Sequence, residues 1–110
     1  MGLMYAHEKL TSAVHTLAVH PGDVRARLLP AYLIFHPIRK DDLPRDLQRD
    51  YEWIMKELTR YEPDEFEKGV MGRGRVQATL SRIRNSTGAR IAQRIVNLSD
   101  KVERALNAEK

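Results

Sequence analysis

Cysteine is absent from this chain of 110 residues, which excludes disulfides, thiolate-bound zinc, iron–sulfur clusters and thiol catalysis. Long apolar runs are absent as well. The longest, Leu28 to Phe35, holds eight residues including a proline, against the roughly 20 that span a bilayer. The first residues do not follow the charged, apolar, small-residue order of a signal peptide, and Ala6 stands where a myristoylation signal carries Ser or Thr. The expectation is a cytoplasmic protein with no membrane segment. Aromatic residues make up only 6%, and no window alternates apolar and polar residues as a half-buried strand does.

Helical spacing is what the chain has instead. Hydrophobic residues reach 42% and charged ones 31%, enough for one core in a chain that buries about 65% of its unfolded surface. Residues 1–110 therefore read as one all-α domain, a bundle of four to five helices. In the first, Leu3 to Val19, residues Leu3, Ala6, Leu10, Ala13, Val14 and Leu17 share a face. His20-Pro21-Gly22-Asp23 interrupts it, because the residue before proline leaves the helical region and Gly-Asp suits a turn and restart. A second helix, from about Asp23 to Phe35, contains Pro30, which predicts a kink or break. It is apolar nearly all round from Leu28 to Phe35, so it is expected at the centre of the core, surrounded by other elements.

Asp41 and Asp42 offer capping oxygens to a third helix, and Pro44 suits its first turn. Leu47, Tyr51, Ile54, Leu58 and Tyr61 then form a seam of heptad spacing, stopped by Glu62-Pro63-Asp64. Residues 65–75, with Gly69, Gly72 and Gly74, read as a flexible connection. A short fourth helix from about Arg75 to Arg84 carries Val76, Leu80 and Ile83. Asn85-Ser86-Thr87-Gly88 reads as a turn, with Ser86 or Thr87 able to cap the next helix. That fifth helix, Ala89 to about Ala108, repeats the heptad step through Ile91, Ile95, Leu98, Val102 and Ala105.

The net charge of +4 is unevenly distributed. Residues 1–40 carry five basic and two acidic side chains, residues 41–70 five and ten, and residues 71–110 nine and three. Part of this asymmetry has a structural reading. Asp46, Asp50 and Glu57 line one flank of the third helix's seam, and Arg90, Arg94 and Lys101 line the flank of the same hand on the fifth, at the same spacing. Two antiparallel helices bring such flanks together, which predicts Asp46 near Lys101 and Glu57 near Arg90, within the chain or across a homodimer. Arg73, Arg75, Arg82 and Arg84 have no acidic counterpart in this pattern. They read either as solvated surface or as a polyanion contact beside a Gly-rich stretch, since arginine grips phosphate with a planar fork. The outer face of the third helix adds Arg45, Arg49, Lys56 and Arg60.

Other motifs give less. Residues 75–98 invite comparison with a helix-turn-helix through their short first helix, the turn at Asn85–Gly88, and Arg90 and Arg94 early in the second. Ser86 and Arg84 stand where that motif is usually apolar, and the second helix has the length and heptad step of a bundle element. No two of the four histidines stand at the i, i+4 spacing of a helical zinc site. Asp41-Asp42 and Asp64-Glu65-Glu67 lie at helix ends, where capping accounts for them. No nucleophile elbow or phosphate-binding loop is present. Trp53, the single tryptophan, lies at the margin of the third helix's seam, either covering the core's edge or anchoring a partner. The sequence thus favours a non-enzymatic interaction or structural protein with no cofactor, partnered by another protein or by itself. A nucleic-acid-binding module using Arg73, Arg75, Arg82 and Arg84 is the alternative.

Overall fold

A computed structural model describes residues 2–64 and 74–109. Among these described residues five α-helices and one 3-10 turn succeed one another: α1 Leu3–Val19, α2 Val24–Phe35, the turn Lys40–Asp42, α3 Arg45–Leu58, α4 Arg75–Arg82 and α5 Asn85–Ala108. No strand occurs among the described residues. The larger part of the expected Gly-rich connection, residues 65–73, lies outside the described residues; Gly74 and Arg75 begin α4.

α1 buries Ala6, Leu10, Ala13 and Leu17, the stripe its spacing dictates. Gly22 then turns the chain with φ at 101°, where a Cβ would stand 2.8 Å from that of Ala26, so only glycine fits. Asp23 caps α2 by accepting from the Ala26 N–H at 2.9 Å. Pro30 sits inside α2 without ending it, so the helix is not broken there. Phe35 meets Tyr51 of α3 edge-on at 6.3 Å, and the Tyr51 hydroxyl donates to the Ile38 carbonyl at 2.6 Å. Burial of that phenol raises its pKa.

α3 is shorter than its sequence suggests. It ends at Leu58, with Thr59 as C-cap, so Tyr61 lies beyond the helix and is exposed. Asp41 and Asp42 do not cap it; Pro44 stands at its N-cap. Asp42 is instead buried, accepting from Arg39 N–H at 2.8 Å and Gly2 N–H at 2.6 Å. The Asn85–Gly88 turn is also corrected, because those residues form the first turn of α5. Gly88 is buried where α5 crosses α2, and a Cβ there would stand 3.1 Å from Val24 Cγ1. Only Ile83 and Arg84, both extended, join α4 to α5.

α5 is the shared partner, packing against α1, α2 and α3. It runs antiparallel to α3: Asp46 and Leu47 lie beside Lys101, Arg104 and Ala105, while Trp53 lies beside Arg90 and Arg94. The two heptad seams close on each other inside one chain, burying Leu47, Tyr51, Ile54 and Leu58 against Ile91, Ile95, Leu98 and Val102. One expectation fails. α2 is not enclosed, and Leu33 on its outer side is 58% exposed. The Cα trace measures 51 × 26 × 18 Å, whereas three helix layers with axes about 8–10 Å apart need about 21–25 Å between their outer Cα atoms. A slab that thin cannot surround a helix.

Candidate interaction surfaces

The arginines before and within α4 are expected from sequence to stand free, and two of them do not. Arg75 donates from Nε to the Thr59 carbonyl at 3.0 Å and lies 3.4 Å from Glu62 Oε1. Arg82 donates to the Glu62 carbonyl at 3.2 Å and stands 6.0 Å from the Tyr61 ring. Between them the buried Thr79 hydroxyl accepts from Tyr61 N–H at 2.9 Å. α4 thus holds down residues 59–62 as they leave α3. The acidic partner missing from the sequence pattern is Glu62, in a segment with no periodicity to reveal it. Arg84 is exposed at the α5 N-cap and joins no ion pair among the described residues. Arg73 lies outside them. With Asn85–Gly88 helical, the helix-turn-helix comparison loses its turn.

Two further arginines, Arg25 and Arg27 of α2, close other helices. Arg27 donates to the Leu17 carbonyl at the end of α1, and Arg25 to the Ile83 carbonyl at the end of α4. Like Arg75 on Thr59, each supplies a donor to a carbonyl that its own helix leaves unpaired. A local sequence reading has no signal for this, because each donor and acceptor belong to different helices.

On the α3–α5 seam, one carboxylate takes the place of three. Asp50 accepts from Lys101 Nζ at 2.9 Å and lies 3.7 Å from Arg94. Asp46 borders Lys101 without pairing to it. Glu57 lies 3.8 Å from Arg60, just past the end of α3, and makes no ion pair with Arg90. Trp53 is half-buried, with the Arg94 guanidinium 4.2 Å from the centre of its ring. Trp53, Arg90, Gln93 and Arg94 line a shallow notch of about 220 Å³.

Asp42, His36 and His7 have partners within the fold. The two backbone donors on Asp42, with Gly2 first, hold its pKa down at about 2. His36 stacks on Tyr32 at 5.2 Å, and His7 lies 3.8 Å from Glu103. Among the described residues no three His, Asp or Glu side chains are placed to share a metal ion. No helix among them is long and apolar enough to cross a membrane.

The outer side of α2 is the largest departure from what its sequence predicts. Ala26, Leu29, Pro30 and Leu33 lie along it, with no charged side chain among them. An open trough of about 460 Å³ runs beside it toward α4, with Leu29, Tyr32, Leu33 and Val76 on its apolar side and Thr59, Arg75 and Gln77 on its polar side. Next to that, Asp23, Arg25, Gln77 and Ser81 rim a more polar depression of about 370 Å³, which also has Leu29 in its wall. In comparison with known proteins, no family model, no curated protein and no solved structure matches this chain.

Proposed function

We propose that the protein is a non-enzymatic interaction module of the cytoplasm that self-associates through the outer face of α2. One observation carries the reading: an uncharged row of Ala26, Leu29, Pro30 and Leu33, with Leu33 58% exposed, on a helix whose other side is core. Uncovered apolar faces of this kind mark contact surfaces. The row also favours a second copy as its occupant. Ala26 and Leu33 stand symmetrically about the midpoint between Leu29 and Pro30. A two-fold, antiparallel pairing therefore sets the large Leu33 of one copy over the small Ala26 of the other, twice per dimer. The heptad seams, the sequence's candidates for dimerisation, are buried against each other within the chain, which supports α2 as the contact face instead.

The experiment is sedimentation velocity from low micromolar to submillimolar concentration, on the wild type and on Leu33→Glu. Burying the exposed half of a leucine stabilises by about 1–1.5 kcal/mol, so two per dimer give about 2–3 kcal/mol. Leu33→Glu should weaken the dimer by at least about 30-fold, by about that much energy. A wild type that stays monomeric throughout, or a dimer indifferent to Leu33→Glu, overturns the reading.

A further inference from the structure

We propose that the α3–α5 face around Trp53 binds single-stranded nucleic acid along its phosphate backbone. This surface is separate from the outer face of α2, and either proposal can fail alone.

Cations that join no ion pair among the described residues gather on this face. Arg45, Arg49 and Lys56 lie on the outer side of α3, past Trp53 from the seam, and Arg90 and Arg104 on the flank of α5 that meets α3. All five are exposed, and none joins an ion pair among the described residues. The antiparallel register sets Arg45 toward Arg104 at one end and Lys56 toward Arg90 at the other, with Arg49 and Trp53 between them. Carboxylates on this face are mostly offset: Asp50 lies between Lys101 and Arg94, Glu57 beside Arg60, and Glu52, next to Arg49 and Lys56, 2.9 Å from Lys40. Asp46 and Asp100 remain and reduce the excess without reversing it.

Geometry selects a single strand over a duplex. From Arg90 to Arg104 the helix rises about 21 Å, the length of about six phosphates at duplex spacing. Two helices with axes about 8–10 Å apart make a surface about 20 Å wide, too broad for a major groove of about 12 Å. A flexible strand needs no groove. It needs cations along its path and a planar group on which to stack a base. Arg94 lying 4.2 Å over Trp53 provides such a platform, and the notch beside it, with Arg90 and Gln93 in its wall, takes one base.

Trp53 is the only tryptophan, so its fluorescence reports this site alone. The test titrates the full chain with oligouridylate, following Trp53 emission and the anisotropy of labelled oligonucleotide across a salt series. Five phosphate contacts on a single strand give a slope of log affinity against log salt near about −3.5. Arg49→Glu and Arg90→Glu should each make that slope shallower by about 0.7 and weaken binding at low salt about tenfold, with helical circular dichroism unchanged. Lys9→Glu makes the same charge change on α1, where Lys9 rests near the Tyr5 ring, and should leave slope and quenching as they were. Saturation without a change in Trp53 emission overturns the proposal. So does an equal loss on Lys9→Glu, or a duplex that binds as tightly with the same quenching.

Discussion

Lys101 Nζ donates to Asp50 Oδ2 at 2.9 Å across the α3–α5 seam, and Arg94 approaches the other oxygen at 3.7 Å. One carboxylate thus joins two positions of α5 that are seven residues apart and fixes the antiparallel register. Both cations are partly exposed, so each pair contributes only about 0.2–1 kcal/mol. Asp50→Asn should lower stability by about 1 kcal/mol at low salt, and by less as ionic strength rises. A double-mutant cycle of Asp50→Asn with Lys101→Met, read by urea unfolding, should show a coupling of a few tenths of a kcal/mol. Strict additivity would mean that the pair does not set the register.

Asp42 makes stability depend on pH. Its folded pKa, about 2, lies below its ordinary value near about 3.9. A depressed carboxylate stabilises the fold above the unfolded pKa, and that stability is lost as pH falls toward the folded one. The difference amounts to about 2 kcal/mol at neutral pH. Asp42→Asn should therefore be less stable than wild type at neutral pH. The gap should narrow below about pH 4 and close near about pH 2. A gap that is the same at both ends would show that the ionised form is not what Gly2 and Arg39 hold.

Thr79 is fully buried, with its hydroxyl on the backbone of Tyr61. Valine has the same shape but leaves the Tyr61 N–H without that partner. Thr79→Val should cost about 1–3 kcal/mol in thermal or urea unfolding. It should also raise proteolytic cleavage near residues 59–62, since the α4 clamp is partly released. A variant as stable as wild type would show that Arg75 and Arg82 hold the segment alone.

Gly88 marks the close approach of α5 to α2. An alanine Cβ would stand 3.1 Å from Val24 Cγ1 and 3.5 Å from Leu28 Cδ1. Gly88→Ala gains up to about 1 kcal/mol of helix propensity and loses a similar amount to crowding, leaving it near neutral. Gly88→Leu has nowhere to place its extra carbons and should destabilise by about 1–3 kcal/mol. Equal melting temperatures for Gly88→Leu and wild type would contradict the crossing.

Periodicity makes much of this fold legible. The stripe of α1 and the seams at Leu47, Tyr51, Ile54 and Leu58 and at Ile91, Ile95, Leu98 and Val102 are buried where their spacing puts them. Sequence and structure part where distant contacts decide. Asn85-Ser86-Thr87-Gly88 has the composition of a turn, yet it is helical, and its glycine serves contact with α2 rather than chain reversal. Asp42 resembles a helix cap, but one of its donors, Gly2, lies forty residues away. Arg75 looks unpartnered in sequence because Glu62 comes after the end of α3, outside any repeat, and Arg82 because the acceptor it meets there is a backbone carbonyl. The open side of α2 is hidden for another reason. An all-apolar helix looks the same in sequence whether neighbours from its own chain cover it or a second molecule does.

The central position of α5 also bears on the order of synthesis. The helix that α1, α2 and α3 all share is the last of the five to be made. A ribosome adding about 5–20 residues per second needs about 1–5 s for its 24 residues. Until then Leu47, Ile54 and Leu58 on α3 lack the surface they are matched to. The nascent chain therefore passes through an interval in which its seams are written but unread, open to any holdase that favours amphipathic helices.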